Sequence, residues 1–181
     1  FETGATFISV DLEDEAAAEA KLGFGQLGAR FLECPLQPED LQGHRELLSK
    51  PGAPIALGEH FRTHYQSEAW FAEPYALDIY QPDVGRTGLS DGLRQVAAAR
   101  AADIPSTPHM GNGLAVFQAA TLHFAAVCGD ECLQEYQAGL AERAALVAST
   151  AWVYADGVFQ LPDRPGLGVE VDEEAVARYA I

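Results

Sequence analysis

Short apolar runs recur along the chain about every 25 residues, and each ends in an acidic residue or a histidine. A helix-length segment follows each run. The six runs are FISVD ending at Asp11, ARFLE at Glu33, PIALGE at Glu59, LDIYQPD at Asp83, IPSTPH at His109 and CLQE at Glu135. This alternation predicts α/β architecture of the (β/α)8 barrel type, in which polar side chains at the carboxyl ends of parallel strands meet at one mouth.

The spacing of apolar positions between the runs predicts six helices. Segment 89–102 is amphipathic at helical spacing, and segment 113–127 is nearly all apolar, as expected of a helix buried against a barrel. The predicted helices are 14–28, 39–50, 66–76, 89–102, 113–127 and 140–150. Beyond these, residues 153–172 are rich in Gly and Pro with β-like pieces, and a helical turn closes the chain. We therefore predict a partial barrel over residues 1–150 and a C-terminal tail over residues 151–181.

The length of the chain limits how much of a barrel it can form. The 181 residues are enough for one domain with a real core. A complete (β/α)8 barrel usually needs roughly 250 residues, so the six predicted strands leave about two strand–helix units unaccounted for. We therefore expect the chain to be the C-terminal part of a larger enzyme, or to be completed by another chain.

The net charge and the number of cysteines indicate which partners and which cell compartment to expect. The formal net charge is −16, which disfavours nucleic acid or an anionic membrane as a partner. The sequence has no apolar run of 18 residues, so no membrane span is predicted. The odd set of three cysteines, Cys34, Cys128 and Cys132, argues against a disulfide framework and favours free thiols in a reducing cytoplasm.

Three carboxylates fall at successive predicted strand ends, namely Asp11, Glu33 and Glu59. A lone carboxylate in such a loop is more often simply solvated. Three in register would converge on the barrel mouth and form an oxygen-rich site of the kind that Mg²⁺ prefers. The pattern therefore predicts a site for a hard divalent cation.

Asp83 and His109 end the next two predicted strands, so we expect them to be neighbours. A carboxylate beside a histidine orients the ring and raises its basicity, which makes His109 a candidate general acid or base. Isolated histidines are more often structural. That interpretation applies to His44, His60, His64 and His123.

Several short motifs, in order along the chain, resemble the barrel domain of the enolase superfamily. The similarity runs from about residue 7 to the C-terminus and is closest to the mandelate racemase subgroup, which includes many acid-sugar dehydratases. The motifs are ECP at 33–35, GEHFRT at 58–63, QPDVGRTG at 81–88, PHMGNG at 108–113, EYQ at 135–137 and LPDRPGLGVEVDEE at 161–174.

The resemblance implies roles for individual residues. Mg²⁺ would be held by Asp11, Glu33 and Glu59, and Asp83 and His109 would form the catalytic dyad. Glu135 would bond the carboxylate side of the substrate, and His60 and Arg62 of GEHFRT would contact the substrate. Family members abstract the proton α to a carboxylate and stabilise the enediolate with Mg²⁺.

The implied activity is dehydration of a small-molecule carboxylate, a sugar acid, by a homo-oligomeric enzyme. Racemisation or epimerisation through the same enediolate is the alternative enzymatic reaction. An alternative of another class is a non-catalytic fragment that needs its missing half.

Some positions depart from the family pattern. Cys34 follows Glu33 where a second Glu is common, and Glu13 stands where Asn is usual. The stretch between Asp11 and Glu33 is short, so Glu13 or Asp14 are alternatives to Asp11 as ligand. The family's Lys-x-Lys pair and capping domain have no counterpart in these residues. We therefore expect the tail to pack on a capping domain supplied elsewhere, and this chain alone to be inactive.

Overall fold

The computed structural model describes residues 7–8, 12–129, 132–150 and 152–179. Its eight strands are all short: β1 Phe7–Ile8, β2 Leu32–Glu33, β3 Ile55–Leu57, β4 Ile79–Tyr80, β5 Ala148–Thr150, β6 Val153–Ala155, β7 Val158–Gln160 and β8 Val169–Val171. The α-helices alternate with the first four strands and then follow them: α1 Asp14–Gln26, α2 Leu41–Leu48, α3 His64–Ser67, α4 Val84–Ala101, α5 Ala115–Cys128, α6 Ala138–Ala144 and α7 Glu173–Ala177.

The first four strands form one parallel sheet in sequential order, β1-β2-β3-β4. Each strand is reached through a helical connection, which parallel pairing requires. The next predicted strand continues the sheet through three backbone bonds. The Tyr80 N–H donates to the Pro105 carbonyl (2.9 Å), and the N–H groups of Thr107 and His109 donate to Tyr80 (2.8 Å) and Pro82 (3.0 Å). The predicted order of parallel strand–helix units is therefore confirmed as far as His109.

The last predicted strand, CLQE at 132–135, was wrong. Residues 132–137 form no regular strand or helix. Their polar side chains bond a neighbouring loop instead, as when the Glu135 carboxylate accepts from the Met110 N–H at 2.9 Å. Glu135 is consequently placed by side-chain contacts and not by a strand.

The helix predicted over 66–76 is also much shorter than expected. Only α3 and a 3₁₀ turn at Glu68–Trp70 form. Trp70 and Phe71 turn into the core, and both are buried. The Arg45 side chain donates to the carbonyls of Ala69 (3.1 Å) and Pro74 (2.8 Å). Burial of the two aromatic rings and the hydrogen bonds from Arg45 therefore stabilise this segment in place of helical hydrogen bonds.

Asp83 caps a short helical turn at residues 84–87, because its Oδ1 accepts a hydrogen bond from the Gly85 N–H at 2.7 Å. Gly88 has non-helical backbone angles and kinks α4, and the longer part after this kink agrees with the predicted helix over 89–102. One further helix boundary differs from the prediction. The helix predicted over 140–150 ends at Ala144. Residues 148–150 form β5 instead, because they pair antiparallel with β8.

The core of the parallel region is centred on Tyr80, which is fully buried. Its hydroxyl donates to the Gln95 side chain, and its ring contacts Phe61 and Phe71 at centroid distances of 6.3 and 5.0 Å. Gly58 has φ +135°, and a Cβ there would stand 2.5 Å from the Tyr80 ring. A glycine is therefore required directly before Glu59, and it brings that residue close over the core.

The C-terminal region, residues 132–150 and 152–179, contains two antiparallel strand pairs. β6 and β7 form a hairpin closed by Asp156 and Gly157, both with positive φ, as a two-residue hairpin turn requires. The β-like pieces predicted for 153–172 are thereby confirmed. Across the described parts of the chain, no helix combines the length and the apolar character needed to cross a membrane.

Candidate active site

His109 lies at the end of the strand that pairs with β4, and three carboxylates surround its ring. Its Nδ1 is 2.8 Å from Asp83 Oδ2, and its Nε2 is 3.0 Å from Glu59 Oε2 and 3.8 Å from Glu135 Oε2. The predicted contact between Asp83 and His109 is confirmed. Asp83 also accepts from Gly85, so the carboxylate that orients the ring is itself held by the first turn of α4.

The carboxylates decide the protonation of this ring. Burial by itself would lower the pKa of His109, because it disfavours the charged form. The hydrogen bonds to Asp83 and Glu59 and the nearby negative charges outweigh burial and raise the pKa of His109 to about 10. The bond with His109 in turn lowers the pKa of Glu59, against the effect of burial. The ring is therefore held protonated between anionic partners at neutral pH.

Glu33 ends β2 and is 5% exposed, so the strand carries a carboxyl group into the interior of the mouth. Burial and the negative charge of Glu135 raise the pKa of Glu33 to about 7, although His109 opposes the shift. Ligand atoms of Glu33, His109 and Glu135 lie within 4.8 Å of one another. Several carboxylates therefore lie close together in a partly buried space around His109.

This donor set fits a hard divalent cation. Glu33 and Glu59 offer carboxylate oxygens, which Mg²⁺ prefers, and a bound cation would offset the charge that raises the pKa of Glu33. A second cluster of possible ligands contains Cys34, Glu59 and His60. Burial and the charge of Glu59 raise the pKa of the Cys34 thiol, so Cys34 is kept as a neutral thiol and makes a poor ligand. Asp11, the third predicted ligand, lies outside the described residues.

Glu135 reaches the site from the irregular segment after α5. Its Oε2 accepts a hydrogen bond from the Met110 N–H at 2.9 Å. The Gln137 amide donates to the Met110 carbonyl at 2.8 Å and lies 3.4 Å from Glu135 Oε1. The Glu135 and Gln137 side chains therefore both hydrogen-bond the backbone of Met110, the residue directly after His109.

The two predicted substrate contacts on the β3 loop lie differently. His60 Nε2 is 3.2 Å from Glu59 Oε1, on the side of that carboxylate that does not face His109. The Arg62 side chain is exposed, and its backbone N–H donates to the Gln66 side chain at 2.7 Å. Neither residue lines the cleft beside His109.

An open cleft of about 510 Å³ lies beside His109. Glu59, Asp83 and His109 line it together with residues that the sequence analysis did not single out. Those additional lining residues are Gly85, Arg86, Gly111, Asn112, Gly113, Phe117 and Gln137. Most of them belong to the motifs QPDVGRTG, PHMGNG and EYQ, so the signal for Arg86, Asn112 and Gln137 was present beside the acid and histidine of each motif.

The family follows from comparison with known proteins. The model of the enolase C-terminal domain-like family matches residues 9–175. The chain belongs to this family. A member of the D-galactonate dehydratase family from Streptomyces bingchenggensis is 32% identical over 151 residues, which are 82% of this chain and 36% of that protein. A D-mannonate dehydratase from a Sphingomonas species is 31% identical, over 82% of this chain and 37% of that protein.

Solved structures agree with the enolase C-terminal domain-like assignment. A member of the enolase superfamily from Agrobacterium tumefaciens has a TM-score of 0.83 at 29% identity, covering 92% of this chain and 42% of that one. A mandelate racemase/muconate lactonizing enzyme-like protein from Rubrobacter xylanophilus has a TM-score of 0.84 at 26% identity, covering 94% and 43%. The chain spans less than half the length of the curated relatives it matches.

Proposed function

We propose that the protein containing this chain is a lyase that dehydrates a sugar acid with the help of Mg²⁺. The arrangement around His109 carries the proposal: Asp83 orients one ring nitrogen, Glu59 and Glu135 face the other, and a cleft opens beside them. Relatives about 30% identical are named as galactonate and mannonate dehydratases, which suits this substrate class.

His109 would act as the acid that assists departure of the β-hydroxyl group. Its Nε2 lies on the side of the ring away from Asp83, and the two flanking carboxylates favour the protonated ring. Transfer of that proton to the leaving oxygen releases water instead of hydroxide, which is the usual benefit of general acid catalysis. Asp83 would keep the ring in place and compensate its charge.

Glu33 and Glu59, with Asp11, would hold Mg²⁺. The bound ion would offset the negative charge that develops on the substrate carboxylate when the α proton leaves. Glu135 would bond the carboxylate side of the substrate, and its bond from Met110 fixes its orientation beside His109. His60 and Arg62 would contact parts of the substrate that extend over the β3 loop.

The proposed context follows from the resemblance. Residues 1–150 would supply about strands three to eight of a (β/α)8 barrel, and residues 151–181 would pack against a capping domain. The base that takes the α proton would lie on the remaining part of the barrel. The protein would work in the cytoplasm as a homo-oligomer on a small-molecule carboxylate.

Racemisation or epimerisation of a hydroxy acid is the second candidate reaction. In that reaction His109 would remove the α proton as a base or return it as an acid. The same contacts support it, because Asp83 raises the basicity of the ring. A non-catalytic role for a fragment of this length is the alternative of another class.

The test uses the intact protein with Mg²⁺ and a panel of sugar acids in deuterated water. Formation of a 2-keto product is expected, and His109→Asn should slow it about 10²- to 10⁴-fold. Exchange of the α proton with inversion and without a 2-keto product would favour the racemase instead. Absence of both exchange and product across the panel would contradict the enzymatic proposal.

A further inference from the structure

Three aromatic side chains form a cluster between the segment that carries Glu135 and the β6–β7 hairpin. Tyr154 of β6 and Phe159 of β7 stand directly opposite each other in the hairpin, so their rings share one face. The Phe159 ring lies 4.9 Å from Tyr154 and 4.9 Å from Tyr136 between centroids, and Tyr136 stacks on Tyr154 at 6.2 Å. We refer to Tyr136, Tyr154 and Phe159 as the aromatic cluster.

Tyr136 lies in the chain between the two residues whose side chains hydrogen-bond the Met110 backbone. Glu135 accepts from the Met110 N–H at 2.9 Å, and Gln137 donates to the Met110 carbonyl at 2.8 Å. The same short segment therefore carries the Tyr136 ring, which contacts the hairpin, and the two side chains that bond the Met110 backbone.

The segment needs such an anchor because it has no strand partner. Residues 132–137 form no regular strand, in contrast to Glu33 and His109, whose backbones are hydrogen-bonded to neighbouring strands. Further support comes from the Gln134 amide, which lies 3.4 Å from the Pro108 carbonyl, and from the Gln137 carbonyl, which accepts the first backbone bonds of α6. Tyr136 directly follows Glu135 in the chain, so a shift of its ring would move Glu135.

We propose that Tyr154 and Phe159 are positioning residues for Glu135, acting through Tyr136. The two rings hold Tyr136, and Tyr136 holds the Glu135 carboxylate on the Met110 N–H, 3.8 Å from His109 Nε2. The C-terminal hairpin thereby becomes part of the active-site scaffold. The kinetic consequence rests on the proposed function, whereas the structural link does not.

The opposite face of the same hairpin provides a matched control. Val158 precedes Phe159 on β7, points to the other side and is 59% exposed. Val158→Ala removes apolar surface from the hairpin without touching the aromatic cluster. Any effect of Phe159→Leu that Val158→Ala lacks therefore belongs to the cluster and not to the hairpin in general.

The experiment compares Phe159→Leu, Tyr154→Leu, the conservative Phe159→Tyr and the Val158→Ala control in the intact protein. Hydrogen exchange of the Met110 amide reports the bond to Glu135 without any need for turnover. Faster exchange is expected for the two leucine variants, with parent-like exchange for Val158→Ala and partial or full rescue by Phe159→Tyr. The kcat/KM of the leucine variants should fall about 10- to 100-fold, as misplacement of an active-site group by about 1 Å does, because Glu135 is the proposed partner of the substrate carboxylate.

Met110 exchange that stays at the parent level in both leucine variants would overturn the proposal, whatever happens to thermal stability. An equal loss of kcat/KM in Val158→Ala and in the leucine variants would also overturn it, because the effect would then belong to the hairpin in general. If the intact parent protein turns over no sugar acid, the proposed function is wrong, and the Met110 exchange rates alone decide the positioning role.

Discussion

The parallel strands and the segment after α5 hold their polar side chains in different ways. Glu33 belongs to β2, and the His109 N–H donates to Pro82, so both backbones are part of the sheet above a buried aromatic core. Glu135 lies on an irregular segment whose contacts come from side chains. Displacing His109 therefore requires breaking the sheet, whereas Glu135 can move without unfolding the protein.

The two regions also differ in how deeply their apolar side chains are buried. All three residues of β3 are buried, and Ile55 and Leu57 belong to the main hydrophobic core. The hairpin of the C-terminal region leaves Val153 and Val158 more than half exposed. Stability is therefore concentrated in the parallel region, and the C-terminal region contributes contacts that place a few side chains.

The largest expected effect is the loss of turnover when His109 is replaced. His109→Asn in the intact protein removes the acid and keeps a side chain that can bond Asp83. We expect kcat to fall about 10²- to 10⁴-fold, the range typical of general acid–base groups. Steady-state kinetics with the best sugar acid measures it. His123→Asn on α5, whose ring contacts the Leu167 carbonyl at 3.4 Å, is the control and should keep parent activity. Near-parent turnover by His109→Asn would refute its catalytic role.

A core substitution tests the contrast in stability. Leu57→Ala should lower the free energy of unfolding by about 2–5 kcal/mol, because Leu57 is 2% exposed and its removal leaves a cavity. Val158→Ala in the hairpin should change it by about 0.5 kcal/mol or less, as is usual at exposed positions. Urea unfolding of the two variants gives both values. Equal losses would show that the two regions share the stability of the fold.

Metal affinity tests the carboxylates at the mouth. Loss of an outer-shell partner of a metal typically weakens its binding about 10- to 100-fold. Glu33→Gln and Glu59→Gln each remove a proposed direct ligand, so each should weaken Mg²⁺ binding by at least that factor. Isothermal titration calorimetry on the intact protein measures the change. Glu13→Gln is informative beside them, because weakened binding there would favour Glu13 over Asp11 as the third ligand. Unchanged Mg²⁺ affinity in Glu59→Gln would contradict the assignment.

The smallest effect concerns a buried histidine below the site. His44 Nδ1 donates to the Asp40 carbonyl at 2.7 Å, and its Nε2 has no hydrogen-bond partner among the described residues. Burial lowers the pKa of His44 below its ordinary value of 6.5. The stability that depends on the neutral ring is therefore fully present above about pH 6.5 and is lost as the pH falls below it, by at most about 1.4 kcal/mol per pH unit.

His44→Leu removes this titration. Urea unfolding at pH 7.5, 6.5 and 5.5 should show a smaller loss of stability on acidification for the variant than for the parent protein. Equal losses in the two proteins would mean that protonation of His44 does not contribute to acid destabilisation.

Much of the parallel region was predictable because its signals are local. Each apolar run followed by a polar residue marks a strand end, and helix-forming segments separate the runs, so the order of units and the meeting of Asp83 with His109 follow from the sequence. The helical turn at residues 84–87, before the predicted helix over 89–102, was not foreseen, because Asp83 both orients His109 and caps that turn. A residue with two roles carries a signal for each, and the strand pattern emphasised only one.

The errors fall where distant contacts decide the local structure. Segment 66–76 has a composition compatible with a helix, yet burial of Trp70 and Phe71 and the bonds from Arg45 end the helix early. Residues 148–150 leave a helical pattern because β8, about 20 residues further along the chain, offers strand hydrogen bonds. Propensity is a weak preference, and tertiary contacts of this kind override it.

The sequence by itself determined the family, the sequential order of the parallel strands and the pairing of Asp83 with His109, because periodicity and short motifs depend on near neighbours in the chain. Only the tertiary structure decided that Glu59 and Glu135 face the same ring nitrogen and that Glu135 is held without a strand. It also decided that a C-terminal hairpin packs its rings on Tyr136. Those contacts join residues some 20 to 50 positions apart, and such pairings are selected by packing and side-chain hydrogen bonds, which leave no periodic trace in the sequence.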